Sequence, residues 1–159
     1  MFLEVTEFGV LVDLWRYCAG RWSEQEMRDK HYVLKSVKAL RNACAHNSLI
    51  VNGFSRSSER TSFSPPRLIS VALNERGMKN TKARRSKLAN LRVSQIAATL
   101  YADGEFCTRD STRARHAARL AEVRNDAEGC GALSRANDGI VSYFDFVWKL
   151  VDIWLPNGY

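Results

Sequence analysis

Residues 23–47 read SEQEMRDKHYVLKSVKALRNACAHN. Ser23-Glu24-Gln25-Glu26 fits a capping box, with Ser23 as N-cap and the Glu26 side chain reaching back. The helix it opens is expected to run to about His46. Val33, Val37, Leu40 and Cys44 recur at spacings of four, three and four, the stripe of an amphipathic helix, while Lys35, Lys38 and Arg41 fall on other faces.

The same period extends in both directions. Upstream, Phe2, Val5, Phe8, Leu11, Trp15 and Cys18 (or Ala19) recur at threes and fours. Gly9 interrupts that helix at a cost of about 1 kcal/mol against alanine, and Gly20 is its expected stop. Downstream, residues 47–66 (NSLIVNGFSRSSERTSFSPP) read as a long loop rich in Ser, Asn, Gly and Pro, with Leu49-Ile50-Val51 as a brief extended piece. A loop of that length inside a compact domain is often functional. Pro65 and Pro66 suit a helix start, followed by Leu68, Val71, Ala72 and Leu73. Residues 80–102 read as one helix, with Leu88, Leu91, Ile96 and Leu100 inward and Lys82, Arg85 and Arg92 outward. Residues 110–126 form a polar, alanine-rich helix, and Gly129 and Gly131 break the chain. The last helix, roughly 134–154, is the most apolar (Ile140, Tyr143, Phe144, Val147, Leu150, Val151, Trp154). It wraps apolar residues around more than one face, so it is central or an interface helix. With no repeat and no strand alternation, the expectation for residues 1–159 is one all-α domain, a bundle of five to six helices.

The 159 residues are enough to bury a core without disulfide or metal staples. A hydrophobic share of 45% and a charged share of 26% exclude wholesale disorder. No apolar run reaches membrane-spanning length. The N-terminus carries Glu4, Glu7 and Asp13 without a basic leader segment, so it does not read as a signal peptide. Charge is uneven. Residues 56–92 hold ten basic side chains and two acids, Glu59 and Glu75, for a local net charge of +8, against +7 for the whole chain. Such local basicity suits a polyanion-binding surface; a solvated helix face and loop is the plainer alternative. Within it Lys82, Arg84 and Arg85 are the expected RNA contacts.

Cys18, Cys44, Cys107 and Cys130 make no CxxC pair and no zinc-ligand spacing with the three histidines. Reduced thiols, no metal, no cofactor and a cytoplasmic location are expected. There is no phosphate-cradling glycine loop, no HExxH and no GxSxG.

What remains is Leu40-Arg41-Asn42-Ala43-Cys44-Ala45-His46-Asn47, at the end of the second helix. A histidine takes or gives a proton near neutral pH, and an arginine grips phosphate oxygens bidentately. A base and a phosphate clamp suffice for RNA cleavage by its own 2′-hydroxyl without a metal. Asn42 is placed to hold a phosphate or one of the two side chains. Five residues of helix turn about 500°, so Arg41 and His46 stand about 140° apart. They converge if the helix ends before His46, or across a dimer axis as a composite site. Spacing alone does not decide: chance gives about 0.3 such R-x4-H matches in this composition. Arg109 and His116 also fit a longer spacing, in a helix without the flanking pattern. The plainer roles are a helix-terminal histidine and a surface arginine.

LRNACAHNSLIVN resembles the LRN-x-x-AH signature of Abi-like proteins, the bacterial abortive-infection family of the HEPN superfamily. FLEVTEFGVLVDLW is similar to that family's acidic and aromatic segment ending in Phe-Gly. The two blocks stand in the family's order with a helix between them, covering about a third of the chain. The resemblance implies an all-helical, HEPN-like, dimeric protein that cleaves RNA, acting in phage abortive infection or as a toxin, with an antitoxin protein as a candidate partner. Arg41 takes the family's arginine role, Asn42 the polar position after it and His46 the histidine role. Family members are usually longer, which implies a fragment, a truncated member or a single domain. Two other classes compete: a non-catalytic helical module binding RNA or protein, and an interaction protein whose apolar last helix is the working surface.

Overall fold

The computed structural model describes residues 7–54, 64–129, 131 and 138–156. Among these, every regular element is helical, in seven α-helices and one 3-10 turn. In chain order they are α1 (Phe8–Arg21), α2 (Gln25–Ala45), the 3-10 turn (Ile50–Phe54), α3 (Arg67–Glu75), α4 (Lys82–Leu88), α5 (Leu91–Phe106), α6 (Asp110–Gly129) and α7 (Asp138–Trp154). The all-α expectation stands; the helix count is higher because the helix expected over 80–102 is two. Asn90 makes the break: its side chain accepts from the amides of Arg92 (3.0 Å) and Val93 (3.2 Å), capping a new helix. Thr81 caps α4 the same way.

The expected capping box at Ser23 does not form. Three residues separate α1 from α2, and Ser23 is used to end α1, in the left-handed region at φ 54°. Glu24 then occupies the N-cap of α2 without a side-chain cap bond. Glu26 pairs instead with Lys30 one turn on, at 2.6 Å, and that hydrogen bond holds its carboxyl below the usual range. α1 runs through Gly20 to Arg21. The buried stripe of α2 is Val33, Leu34, Ser36 and Ala43, so Cys44 is exposed, not inward. Leu49-Ile50-Val51 is not extended: a 3-10 turn carries Phe54 into the core, stacked on Tyr143 at 5.6 Å and edge-on to Phe144 at 5.5 Å. Phe2, Val5, Arg56, Arg60 and Cys130 lie outside the described residues.

One core joins Val33 of α2, Phe54, and residues of α3 to α7, with Ile69, Leu73, Leu88, Val93, Leu150 and Trp154 almost fully buried. The most extensive packing is of α2 on α5, then of α1 on α2 and α7 on α5. α7 buries Tyr143, Val147, Trp148, Leu150, Val151 and Trp154 in the core and leaves Ser142, Asp145, Lys149 and Asp152 exposed. The large apolar residues left exposed include Val10, Leu14 and Tyr17, at i, i+4 and i+7 on α1.

α2 and α5 run antiparallel. Trp15 of α1 donates from Nε1 to the Met27 carbonyl at the start of α2 and packs edge-on against Phe106 at the end of α5. At the other end, Ser36 and Ala39 of α2 line the same cavity as Leu91 and Gln95 at the start of α5. α6 is held differently. Among its described residues only Ala117 is buried, and polar bonds dock the helix: His116 to Asp103, Arg113 to the Trp154 carbonyl, Arg124 to Asp152.

Candidate functional site

The C-terminal turn of α2 places Arg41, Asn42 and His46. Ala45 is the last helical residue and His46 the C-cap. Asn47 takes φ 51°, a left-handed conformation that asparagine tolerates. Its amide bonds to the Cys44 carbonyl (3.0 Å) and that of Ser48 to Ala43 (2.9 Å), the double closure of a Schellman motif. The helix is thus ended by backbone bonds, and neither Arg41 nor His46 is used to end it.

Arg41 is exposed, and its Nη1 donates to Asn42 Oδ1 at 3.3 Å. Asn42 is half-buried and His46 exposed. The helix does end before His46, yet His46 keeps near-helical angles (φ −94°, ψ 18°). Ideal helix geometry sets it about 140° around the axis from Arg41, whose guanidinium bonds to Asn42 and not to His46. The helix C-terminus carries partial negative charge, so a phosphate bound here depends on side-chain cations.

The basic segment divides. Arg84, expected at an RNA surface, is 3% exposed. Its guanidinium bonds to Asn74 Oδ1, the Met78 carbonyl and the Ser70 carbonyl, tying α4 to α3 and the turn after it. Desolvation, then the neighbouring Arg85 charge, pulls its pKa below the usual arginine value. Arg84 is a structural cation and leaves the set of RNA contacts. Lys82 and Arg85 are exposed, Arg85 donating to the Asn80 carbonyl at 3.1 Å. Arg67, Arg76 and Lys79 are exposed as well, while Lys87 lies over the Tyr143 ring at 3.6 Å.

A second cationic surface was not read from the sequence. Arg16 of α1 and Arg28, His31, Tyr32 and Lys35 of α2 line an open groove of about 570 Å³. Tyr32 is 58% exposed there, an aromatic face among cations. The signal was available: positions 28, 31, 32 and 35 are the i, i+3, i+4, i+7 set of one helix face.

No family model matches this chain, and neither the curated proteins nor the solved structures contain a match to it.

Proposed function

We propose that the chain is a metal-independent endoribonuclease of the HEPN type, acting on RNA in the cytoplasm as an abortive-infection or toxin protein. The observation that carries this reading is the exposure of Arg41 and His46 on a rigid helix end whose closure uses neither side chain. His46 accepts the 2′-hydroxyl proton, the 2′-oxygen attacks the adjacent phosphorus, and the P–O5′ bond breaks as the 5′-oxygen takes a proton from water, giving 2′,3′-cyclic phosphate and 5′-hydroxyl ends. Arg41, steadied by Asn42, neutralises the charge that builds on the phosphate.

Because the two side chains diverge in one chain, the site is composite, with Arg41 of one copy facing the histidine of a second. The exposed apolar residues of α1 support such a homodimer. A Cβ on Gly9 would stand 2.9 Å from Lys38 Nζ, so the start of α1, with Val10, lies beside the C-terminal half of α2. Lys82 and Arg85 hold RNA backbone, and an antitoxin partner would act by covering this end of the bundle.

A second reading has its own observation. The Arg16–Arg28–His31–Lys35 groove with exposed Tyr32 suits a single-stranded RNA-binding module without catalysis. Cleavage of end-labelled RNA in EDTA, with parent, Arg41→Ala and His46→Ala side by side, separates the two. Cyclic-phosphate ends lost in both variants support the nuclease. Binding that survives His46→Ala, with no cutting by the folded parent, supports the module.

A further inference from the structure

We propose that Asp103, Cys107 and His116 form a zinc-binding site that clamps α6 onto the end of α5. One ligand atom from each (a carboxylate oxygen, a thiol sulfur and an imidazole nitrogen) lies within 4.8 Å of the other two. Asp103 sits in the last turn of α5, Cys107 is its C-cap four residues on, and His116 comes from α6 across the corner. The i, i+4 spacing puts Asp103 and Cys107 on one face, and the helix–helix corner supplies the third donor.

The donor chemistry selects the ion. A thiolate, an imidazole and a carboxylate together suit Zn²⁺, whereas Mg²⁺ and Ca²⁺ take all-oxygen sets. Bond lengths of about 2.0–2.3 Å to a tetrahedral zinc place its ligands about 3.3–3.7 Å apart. His116 Nδ1 and Asp103 Oδ1 are hydrogen-bonded at 2.7 Å and have to part by about 0.6–1.0 Å to admit the ion. The Cys107 sulfur is committed only to a long contact with the Arg109 carbonyl, 3.9 Å. The site also has an unmet need. Asp103 Oδ2 is buried and makes no hydrogen bond. A cation gripped by both carboxylate oxygens would satisfy it. All three residues are half-buried, so the ion has a path in, and water completes a three-ligand set.

Arg113 turns away to the Trp154 carbonyl at 3.2 Å. The role follows from how α6 is attached: it buries Ala117 alone among its described residues, so a metal bridge to α5 would be its firmest anchor. This corner lies at the end of α5 that meets the start of α2, about 30 Å of helix away from His46. The clamp is therefore separate from the proposed cleavage chemistry.

The test uses the full chain, stripped of metal and reduced. Zn²⁺ affinity is measured by competition with a chromophoric chelator, and Co²⁺ by its thiolate-to-metal charge-transfer band. One equivalent of either ion is expected, with the band abolished in Cys107→Ser, Zn²⁺ affinity at least about tenfold weaker in His116→Ala, and both retained in Cys44→Ser and Cys130→Ser. Circular dichroism checks that each variant is folded. Hydrogen exchange on the parent needs no variant: Zn²⁺ should slow exchange of α6 amides at least about tenfold. No saturable uptake by the folded parent, a band that survives Cys107→Ser or is lost in Cys130→Ser, or α6 exchange unmoved by Zn²⁺ each overturns the proposal.

Discussion

Arg84 donates to Asn74 Oδ1 at 2.8 Å from a guanidinium that is 3% exposed, and the same group bonds to the Ser70 and Met78 carbonyls. A buried cation is costly unless its donors are matched; here neutral oxygens match Nη1 and Nη2, while Nε is buried without a partner. Removing the side chain takes the guanidinium from the half-buried Ser70 and Met78 carbonyls and from the exposed Asn74 amide, and leaves a void between α3 and α4. Arg84→Ala should therefore lower stability by about 2–3 kcal/mol, read as a fall in the urea midpoint. Arg85→Ala, one residue on and exposed, should stay within about 0.5 kcal/mol of the parent. RNA affinity should divide the other way. Losing Arg85 or Lys82 should weaken binding and flatten the salt slope by about 0.7–0.9 per phosphate contact, while the folded fraction of Arg84→Ala binds as the parent does. Equal effects of Arg84→Ala and Arg85→Ala on the urea midpoint would contradict this division.

Two glycines with open space around them should respond to alanine with opposite signs. Gly77 follows α3 at φ +85°, and the amides of Gly77 and Met78 close that helix onto the Asn74 and Leu73 carbonyls. Nothing stands within 4 Å of a Cβ there, so the penalty is purely conformational. Gly77→Ala should cost about 1–2 kcal/mol, and Gly77→Asn less. Gly20 lies inside α1 with equally free space. Gly20→Ala should stabilise by about 0.5–1 kcal/mol. Thermal melts of the three variants decide it, and a destabilised Gly20→Ala would contradict the helix assignment at that position.

Burial, followed by the charges of Glu105, Glu26 and Glu75, raises the Tyr101 phenol above the usual tyrosine value, with Arg76 opposing. The folded chain thus holds that proton more tightly than the unfolded one. Below the ordinary tyrosine pKa of about 10 both states are protonated and the residue's stabilisation is complete. Above it the unfolded state ionises first, and stability falls as pH rises toward the folded value. In a spectrophotometric titration Tyr101 should ionise above the ordinary tyrosine value. Tyr101→Phe should flatten the alkaline loss of stability, and parallel pH profiles for variant and parent would rule the account out.

Periodicity made the helices legible, and local chemistry hid the rest. The apolar stripes of α1 and α7 were readable because burial follows the 3.6-residue repeat. The split at Asn90 was not, because leucines and isoleucine on both sides keep the same period. Only the cap bonds to Arg92 and Val93 reveal a new helix. Ser23 satisfied the pattern of an N-cap and was claimed by the end of α1. Phe54 lay in a stretch whose composition reads as loop, and its place in the core depends on Tyr143 and Phe144, some ninety residues away in sequence. At the candidate site, sequence picked out Arg41 and His46 but could not tell Arg84 from Arg85, since charge patterning does not register burial. It also treated Cys107 and His116 as unrelated, because a donor set that turns a helix corner has no fixed spacing.

The divergence of Arg41 and His46 around α2 makes a sharp demand on the proposed nuclease. If each site takes its arginine from one copy and its histidine from the other, mixing the two single variants should restore activity. A dimer of Arg41→Ala with His46→Ala has one site lacking both groups and one site complete. Co-refolding equal amounts of the two inactive variants makes about half of the dimers mixed, each with one of two sites intact, so about one quarter of parental cleavage should return. Sites built within one chain would give none, because every chain in the mixture lacks one group. Recovery near one quarter, with 2′,3′-cyclic ends and in EDTA, would establish both the composite site and the dimer. A fully active parent whose mixed variants stay silent would place both groups in one chain, and the turn after Ala45 would then have to rearrange on binding RNA to close the angle of about 140°.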